Sequence, residues 1–406
     1  MDTRNEQNKI LLFPERLDAA NSPKYLEQYM KIVDALPKDT ALIGDLSETN
    51  YLSSSGLRLV LTIAKKRPDL RLIHVLPKVY DVLDMTGLAK KVRVERQIIK
   101  IDPITTEPIA CGSNGEVYVI ENDIIVKMFS DKTTEEEIYE EWRNAKIALT
   151  LGVPSAICYS IVTDGERLGI MFERMETTSL ASLIYADYDN FDDYAQRFAA
   201  LLKEMHEICD PLHELHSVQE AFTALIEKAE YLSNEEREKM NAFLEAVPER
   251  DNVVHGDFHP NNIGEVFGEL ILLDMAEIGY GNPVFDFIAS YYDLVLSGAT
   301  VGKEHPEVTK RFFGLEVAEL AKLWNILMAQ YFADADDEKK QFFQETINWM
   351  LGFKLLLFPV LHPNHPNETH ERWIRLGKER FIDHFEELMQ RIPEIDQMIA
   401  GALGNH

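Results

Sequence analysis

Residues 255–277 read HGDFHPNNIGEVFGELILLDMAE. The polar residues of this stretch and their spacing indicate which fold the larger part of the chain adopts. Asn262 follows Asp257 by five positions, and Asp274 follows it by seventeen, at the end of the apolar run 270–273. Phosphoryl transfer needs a carboxylate that orients the attacking hydroxyl and oxygen ligands that hold Mg²⁺ beside the phosphates. The spacing therefore predicts Asp257 as the catalytic base and Asn262 and Asp274 as ligands of Mg²⁺.

The same stretch allows a second interpretation, as a transition-metal site. His255, Asp257 and His259 alternate along the chain, and imidazole is a good ligand for zinc. A zinc site has no need of an asparagine and a strand-end aspartate at these intervals. The magnesium interpretation accounts for more of the residues, and we favour it.

A glycine-containing turn opens a predicted hairpin at residues 108–128. Strand-forming residues fill 116–120 and 124–128, with a Glu-Asn-Asp turn between them. Glycine lets a backbone pass close to phosphate oxygens. The turn therefore supplies four candidate nucleotide-binding residues, namely Gly112, Ser113, Asn114 and Gly115. Lys127, on the second strand, could offer its ammonium to the same phosphates, although tight turns and surface lysines with no such role are common.

The next helix supplies a candidate partner for Lys127. It opens near Thr133 with a capping-box pattern and carries Glu141. In kinase-like folds one glutamate of this helix pairs with the strand lysine. Glu137 and Glu140 are rivals for the role, and a solvated acidic helix face is the simpler alternative.

An apolar strand at 168–172 ends in polar residues, and this pattern is typical of a hinge. Glu173 and Met175 follow the strand. Their backbone groups are candidates for contact with the edge of an adenine ring.

Taken together, these motifs resemble the aminoglycoside phosphotransferase and choline kinase group, which shares the protein kinase fold. The resemblance covers about 105–295 and includes GNPVFD at 281–286. It implies ATP or GTP as the phosphate donor, Mg²⁺, Lys127 on the α and β phosphates with Glu141 as its partner, and Asp257 as the base. It also implies Asp286 as a carboxylate that braces the catalytic loop, for which an ordinary helix cap is the alternative.

Several positions depart from the protein kinase pattern. The turn lacks a full Gly-x-Gly-x-x-Gly, Gly256 stands where protein kinases have arginine, and Met275-Ala276 stands where they have Phe-Gly. No Ala-Pro-Glu segment follows. The departures favour a small molecule over a protein as the phosphate acceptor.

Residues 1–100 predict a separate small α/β domain. Strand-like runs at 9–13, 41–46 and 70–75 alternate with helical patterns at 55–66 and 77–86. This alternation is typical of a mostly parallel sheet covered by helices.

The segment DLSETNYLSSSGL at 45–57 resembles the strand end, turn and helix start of the STAS domain, the fold of bacterial anti-sigma factor antagonists. The resemblance covers about 10–96. In that family the first serine of a pair at this helix N-terminus is phosphorylated, which implies Ser54 here. Ser53 stands where the family has aspartate. Serines at a helix start also serve as caps, so capping alone is an equal alternative.

Charge separates the two modules. Residues 1–100 carry 17 basic and 13 acidic residues, for a net charge of +4, whereas residues 101–406 carry 24 and 56, for −32. The total of −28 disfavours nucleic acid as a partner and favours cationic small molecules. An acidic run at 334–338 could meet such a substrate, although charge runs are usually solvated.

The sequence gives no indication of a membrane or secretory protein. No apolar run approaches the roughly 18 residues that cross a bilayer, and the start MDTRNEQNK is too polar for a signal peptide. Three widely spaced cysteines predict reduced thiols rather than disulfides. We expect a cytoplasmic protein without a membrane partner.

These observations define one expected organisation. An α/β STAS domain at 1–100 precedes an α+β two-lobed kinase-like domain, with an N-lobe at 101–178 and a large helical C-lobe at 179–406. The expected function is transfer of the γ-phosphate of ATP or GTP to a hydroxyl of a small molecule, for which the net charge favours a cation, with a STAS module that is regulatory or binds a protein partner. The alternative is a nucleotide-binding regulatory protein, either a pseudokinase or a protein kinase that acts on Ser54, in a partner-switching pathway.

Overall fold

The computed structural model describes residues 8–37, 40–112, 115–175, 178–296, 310 and 313–404. Contacts divide the chain into two units. The first unit comprises Met1–Glu107, Met128–Ser130 and Ser160–Met171, and the second comprises Pro108–Lys127, Asp131–Tyr159 and Phe172–His406. In the part of the chain that is described, no helix is both long and apolar enough to cross a bilayer.

The first unit begins with alternating strands and helices. In chain order they are β1 (Asn8–Leu12), β2 (Arg16–Leu17), α1 (Ser22–Ala35), β3 (Ala41–Asp45), β4 (Tyr51–Leu52), α2 (Ser54–Lys66), β5 (Arg71–Val75), α3 (Pro77–Met85) and β6 (Arg93–Arg96). A parallel sheet has the order β1-β3-β5-β6, and β2 pairs with β4 beside it. The predicted parallel α/β domain is confirmed, and its predicted strands and helices lie within about two residues of the observed ones.

The core of this domain forms where the sheet meets the helices. Leu42 and Leu72 on the central strands are fully buried, and α2 adds Val60 and Ile63. Gly44 lies in β3, where an added Cβ would come within 2.8 Å of the Leu72 side chain. The absence of a side chain at this position therefore allows the close packing of the core.

Ser53, and not Ser54, caps α2. The Ser53 hydroxyl accepts hydrogen bonds from the backbone amides of Ser55 (3.2 Å) and Gly56 (3.5 Å). Ser54 is the first helical residue and is exposed. Among the described residues, none forms a hydrogen bond with its hydroxyl. The cap therefore lies at Ser53, and the exposed Ser54 takes no part in it.

We expect Ser53→Ala to lower the free energy of unfolding of this domain by about 1 kcal/mol, because two amides of the first turn lose their acceptor. Ser54→Ala should change it by less than about 0.5 kcal/mol. Urea titration of the full-length chain, read from amide hydrogen exchange in β3, measures both. Equal losses for the two variants would contradict this assignment of the cap.

A second sheet follows. Its elements are β7 (Ile99–Lys100), β8 (Ala110–Cys111), β9 (Gly115–Glu121), β10 (Ile124–Phe129), α4 (Glu135–Leu151), β11 (Cys158–Thr163) and β12 (Leu168–Glu173). The strand order is β7-β11-β12-β10-β9-β8, and β9 and β10 form the predicted hairpin. Thr134 and Glu137 form the predicted capping box of α4, which ends at Gly152 with a φ of +93°.

The remainder of the second unit is mainly helical. Its elements are β13 (Thr178–Ser179), α5 (Leu180–Ala186), α6 (Phe191–Glu207), α7 (Val218–Lys228), α8 (Asn234–Ala246), β14 (Val253–Val254), β15 (Ile263–Val266), β16 (Glu269–Leu272), β17 (Gly279–Tyr280), α9 (Val284–Tyr291), α10 (Val317–Tyr331), α11 (Asp337–Leu356), α12 (Phe358–Leu361), α13 (Asn367–Gly377) and α14 (Phe385–Ala402). Single 3₁₀ turns lie at Tyr188–Asn190 and Pro260–Asn262, and π-helical turns at Tyr292–Leu296 and Lys378–Ile382. The predicted large helical region is confirmed.

Aromatic side chains form the core of this helical region. The ring of Phe287 on α9 lies 4.9 Å from that of Tyr331 on α10 and 5.0 Å from that of Phe343 on α11. The acidic run at 334–338 lies at the start of α11, where Asp336 caps the helix by accepting a hydrogen bond from the Lys339 amide at 2.8 Å. The run is largely exposed, as expected for a solvated charge run.

A small hairpin positions the polar residues of the 255–277 stretch. β15 and β16 pair antiparallel with Ile263 opposite Leu272, and the Leu273 amide donates to the Asn262 carbonyl at 2.9 Å. Asn262 immediately precedes β15, and Asp274 comes two residues after β16. The pairing therefore brings both residues to the same end of the hairpin.

Candidate active site

Lys127 lies between two carboxylates. Its Nζ is 2.7 Å from Oε1 of Glu141 on α4 and 3.3 Å from Oδ2 of Asp274. Of the three glutamates considered on this helix, Glu137 is engaged in the capping box and Glu140 is exposed. Glu141 is therefore the one that faces the lysine, as the sequence predicted for this position.

The positive charge of Lys127 is stabilised more fully than the negative charge of Glu141. Burial acts to lower the pKa of Lys127, but the charges of Asp274 and Glu141 outweigh it and raise the pKa. For Glu141, burial together with the charge of Asp274 outweighs the attraction of Lys127 and raises the pKa to about 6. One ammonium is shared by two carboxylates, so Lys127 remains a cation while Glu141 is only partly compensated.

Asp257 lies in the loop that follows β14, and its orientation is fixed from two sides. The Asn262 side-chain amide donates to Oδ2 of Asp257 at 2.8 Å and to its backbone carbonyl at 3.0 Å. Nε2 of His259 is 3.5 Å from the same Oδ2. These contacts leave Oδ1 of Asp257 as the oxygen able to meet an incoming hydroxyl.

Asp257 is ionised at neutral pH. Burial opposes its ionisation, but the hydrogen bond and charge of His259, with the charges of Lys354 and His255, hold its pKa below the ordinary value. An ionised carboxylate at this position can accept a hydrogen bond from an alcohol and take its proton as the bond to phosphorus forms.

The backbone before Asp257 is held by Asp286 at the start of α9. The carboxylate of Asp286 accepts hydrogen bonds from the amides of His255 (2.7 Å) and Gly256 (2.6 Å) and is completely buried. Gly256 has a φ of +83°, and an added Cβ would lie 2.8 Å from Cβ of Glu277. Glycine is therefore required where protein kinases have arginine.

The residues at the end of the hairpin suit a magnesium ion. The amide nitrogen of Asn262 is used by Asp257, which leaves its carbonyl oxygen to bind a cation. Oδ1 of Asp274 accepts the Ala276 amide at 3.0 Å, which fixes the carboxylate, and Oδ2 faces Lys127. A carboxylate and an amide oxygen are hard donors of the kind Mg²⁺ prefers, with phosphate oxygens and water completing its shell.

In the alternating His255, Asp257 and His259, both histidines use Nδ1 within the loop. Nδ1 of His255 accepts the Asp257 amide at 3.2 Å, and Nδ1 of His259 accepts the Asn261 amide at 3.3 Å. No group of three or more His, Cys, Asp or Glu side chains that could hold a metal ion occurs within the described ranges.

The glycine turn is described only in part. Ser113 and Asn114 lie outside the described residues. Gly112 donates its amide to the carbonyl of Gly115 at 2.9 Å, and an added Cβ at Gly112 would meet that carbonyl oxygen at 3.8 Å. Packing within the described turn does not require glycine at 112. A role in which a ligand approaches the backbone is compatible with this open position.

The segment that the sequence predicted as a hinge follows β12 (Leu168–Glu173). The Glu173 amide donates to the Ile157 carbonyl at 2.9 Å, and the next amide, of Arg174, donates to the Asp123 carbonyl at 2.8 Å. Met175 follows and is half-buried. The segment is therefore fastened to the loops on either side of it.

Several charged groups near Asp257 were not predicted from the sequence. Glu277 is exposed to solvent as a residue, but desolvation of its carboxyl group and the charge of Asp257 raise its pKa, with Lys354 opposing the shift. Burial raises the pKa of Asp293 to about 7 as well, with the same two residues acting in the same directions. Glu277 belongs to the LLDMAE motif, but Asp293 and Lys354 lie on helical turns with no signal that separates them from other polar residues.

Two protein-family models match the sequence. Residues 105–304 match the model of the phosphotransferase enzyme family, and residues 2–100 match that of the STAS domain. None of the curated proteins matches the sequence.

Solved structures to which this chain is similar include the gentamicin complex of APH(2")-IIa, which is 13% identical, with 76% of this chain and 98% of that chain covered and a TM-score of 0.40. A choline/ethanolamine kinase family protein from Mesorhizobium loti is 14% identical, with 73% and 92% covered and a TM-score of 0.41. Aminoglycoside-3'-phosphotransferase of type VIII is 18% identical, with 63% and 91% covered and a TM-score of 0.38. The two family models lead to one conclusion: the chain carries a STAS domain over 2–100 and, after it, a domain of the phosphotransferase enzyme family over 105–304.

Proposed function

We propose that this protein transfers the γ-phosphate of ATP or GTP to a hydroxyl group of a small molecule. The observation that carries the proposal is the hairpin at 263–272, which brings Asn262 and Asp274 to the same end. Asn262 donates a hydrogen bond to Asp257, and Lys127 donates one to Asp274. A base, two oxygen ligands and a fixed cation are thus joined by direct contacts.

On the donor side, Lys127 would hold the α and β phosphates, and Glu141 would keep its ammonium in place. Asn262 and Asp274 would hold Mg²⁺, which supplies positive charge to the phosphate oxygens when it is bound. The backbone of 112–115, including Ser113 and Asn114, is our proposed cover for the phosphates, and the backbone of Glu173 and Met175 our proposed contact for the nucleotide base.

On the acceptor side, Asp257 would orient the hydroxyl through its Oδ1. Because its pKa is low, it cannot remove the proton from a resting alcohol, and it receives the proton only as the oxygen bonds to phosphorus. The protein's contribution is then mainly position and charge, as expected for a loose phosphoryl transfer transition state.

The charges beside Asp257 favour a cationic acceptor. Glu277 and Asp293 each interact electrostatically with Asp257; Lys354 opposes both, and His259 also opposes Asp293. A bound amine would relieve the repulsion among these carboxyl groups. We therefore propose an amino alcohol or an amino sugar as the class of acceptor.

A coupled assay of ADP release over a panel of neutral, anionic and amino alcohols tests this function. Turnover that needs both Mg·ATP and one class of alcohol is the expected result. Asp257→Asn serves as the blank, because it removes the base without changing the size of the side chain. Nucleotide binding with no turnover on any acceptor would favour the regulatory alternative.

Glu141→Gln should raise the KM for ATP about tenfold, because the amide cannot hold the Lys127 ammonium by charge. Its neighbour Glu140→Gln is the matched control and should behave as wild type, because Glu140 is exposed. Initial rates over a range of ATP concentrations measure both variants. Equal effects would contradict the pairing of Lys127 with Glu141.

The exposed hydroxyl of Ser54 favours a second, regulatory role for the STAS domain. A phosphate on Ser54 would lie at the N-terminus of α2, where backbone amides and the helix dipole stabilise negative charge. We propose that phosphorylation here controls binding of a protein partner. Mass spectrometry of the chain after incubation with Mg·ATP tests whether the chain modifies itself, and an unmodified Ser54 during active turnover would exclude that source of phosphate.

A further inference from the structure

A chain of buried polar groups runs from α10 through α6 to the loop that carries Asp257. The Tyr331 hydroxyl is 2.8 Å from Nδ1 of His206, and Nε2 of His206 is 3.0 Å from Oδ2 of Asp286. Asp286 in turn accepts the amides of His255 and Gly256. His206 and Asp286 are completely buried, and Tyr331 is 2% exposed.

The protons of this chain follow from the partners. Burial acts against the charge of Asp286, but the hydrogen bond and charge of His206 outweigh it and lower the pKa of Asp286, so the carboxylate only accepts. Nε2 of His206 therefore carries a proton that it donates to Asp286. Burial raises the pKa of Tyr331, so its hydroxyl keeps its proton and donates to Nδ1 when that nitrogen carries none.

His206 also holds the loop by a second route. Its backbone carbonyl accepts a hydrogen bond at 2.7 Å from the side chain of Asn252, immediately before β14. The side chain of His206 thus contacts Asp286, which holds the end of the 252–256 segment. The backbone of His206 binds Asn252, at the beginning of that segment. Asp257 is the next residue, so the direction of its carboxylate depends on this segment.

We infer that His206 and Tyr331 are positioning residues of the phosphoryl transfer. They fix the rotation of the Asp286 carboxylate, which fixes the two amides before Asp257 and hence the base itself. Chains of hydrogen bonds are strong in an interior without water, because each hydrogen bond polarises the next. A buried polar group left without a partner would destabilise the fold. The inference rests on the proposed function and adds two residues that contact neither nucleotide nor acceptor.

The test compares kcat and KM for His206→Leu, His206→Gln and Tyr331→Phe. His206→Leu should lower kcat about 100-fold, with the KM for ATP within about threefold of wild type, because a displaced base slows chemistry and leaves nucleotide contacts intact. The side-chain amide in His206→Gln can still donate to Asp286, so the kcat of this variant should be about tenfold higher than that of His206→Leu. Tyr331→Phe, which keeps the ring, should lower kcat about fivefold.

Leu327→Ala is the matched control. Leu327 is completely buried on α10, one turn before Tyr331, and belongs to no polar chain. It should lower the melting temperature at least as much as His206→Gln and leave kcat unchanged. A wild-type kcat in His206→Leu would overturn the inference, as would a fall in kcat in Leu327→Ala that equals the fall in His206→Gln.

Hydrogen exchange of the catalytic loop separates failure of this inference from failure of the proposed function. Peptides that span 253–263 should exchange faster in Tyr331→Phe and His206→Gln than in wild type, and no faster in Leu327→Ala. If wild type turns over no acceptor, the proposed function fails and exchange alone decides whether this chain holds the loop. Unchanged exchange in all variants would overturn the inference even in an active enzyme.

Discussion

Asp257→Asn should lower the rate of phosphate transfer by about 10³-fold while leaving the affinity for Mg·ATP within a factor of about three. Loss of a positioned base costs 10²- to 10⁴-fold, and Asp257 has the further task of orienting the acceptor. The asparagine can keep the bond from the Asn262 amide by presenting its carbonyl oxygen to it. The loop should therefore retain its structure, and the effect should lie almost entirely in kcat.

The measurement for Asp257→Asn is single-turnover transfer together with calorimetric titration of Mg·ATP. Asp251→Asn is a suitable control, because Asp251 is an exposed carboxylate that pairs with His213 in the same region. It should have wild-type turnover. A variant at Asp257 that transfers phosphate at a rate near that of wild type would remove Asp257 from the mechanism.

Asp286→Asn should lower the free energy of unfolding by about 3 kcal/mol. The carboxylate accepts two amides and the His206 imidazole in a site without solvent, and an asparagine has one acceptor oxygen and turns an N–H group toward one of these donors. Asp293→Asn is the contrasting variant. Burial raises the pKa of Asp293 to about 7, so the neutral amide should cost less than about 1 kcal/mol.

The stability difference between wild type and Asp286→Asn should depend on pH in one direction. The folded-state pKa of Asp286 lies below that of an unfolded aspartate, about 3.9. Its contribution is therefore complete above about pH 4 and declines as the pH falls through the folded-state value. Urea unfolding at pH 7, 5 and 3 measures this. A difference that grew toward low pH would contradict the assignment of Asp286 as an ionised acceptor.

The sequence was sufficient for residues whose positions follow from strand and turn patterns. The apolar run before Asp274 predicts a strand that ends near this residue, and the structure adds its antiparallel pairing with the residues after Asn262. Their proximity then follows from the register, with Ile263 opposite Leu272. Lys127 was also predicted on the second strand of a hairpin, and it lies within β10.

Residues inside amphipathic helices could not be assigned in this way. His206 lies on the apolar side of α6, and its partners Asp286 and Tyr331 are 80 and 125 residues away in the chain. A helical periodicity shows that such a residue is buried but not which polar group it meets. The serine that caps α2 could not be identified for a different reason. A shift of one residue in the start of the helix transfers the cap from Ser54 to Ser53.

The most direct test of the central claim is ³¹P NMR of the protein with Mg·ATP and the acceptor that gives the largest ADP signal. If Asp257, Asn262, Asp274 and Lys127 form a transfer site, the γ-phosphate resonance should disappear as a phosphate monoester resonance of equal intensity appears, and Asp257→Asn should leave ATP intact. Release of inorganic phosphate alone, or an unchanged ATP spectrum with every acceptor, would contradict the account.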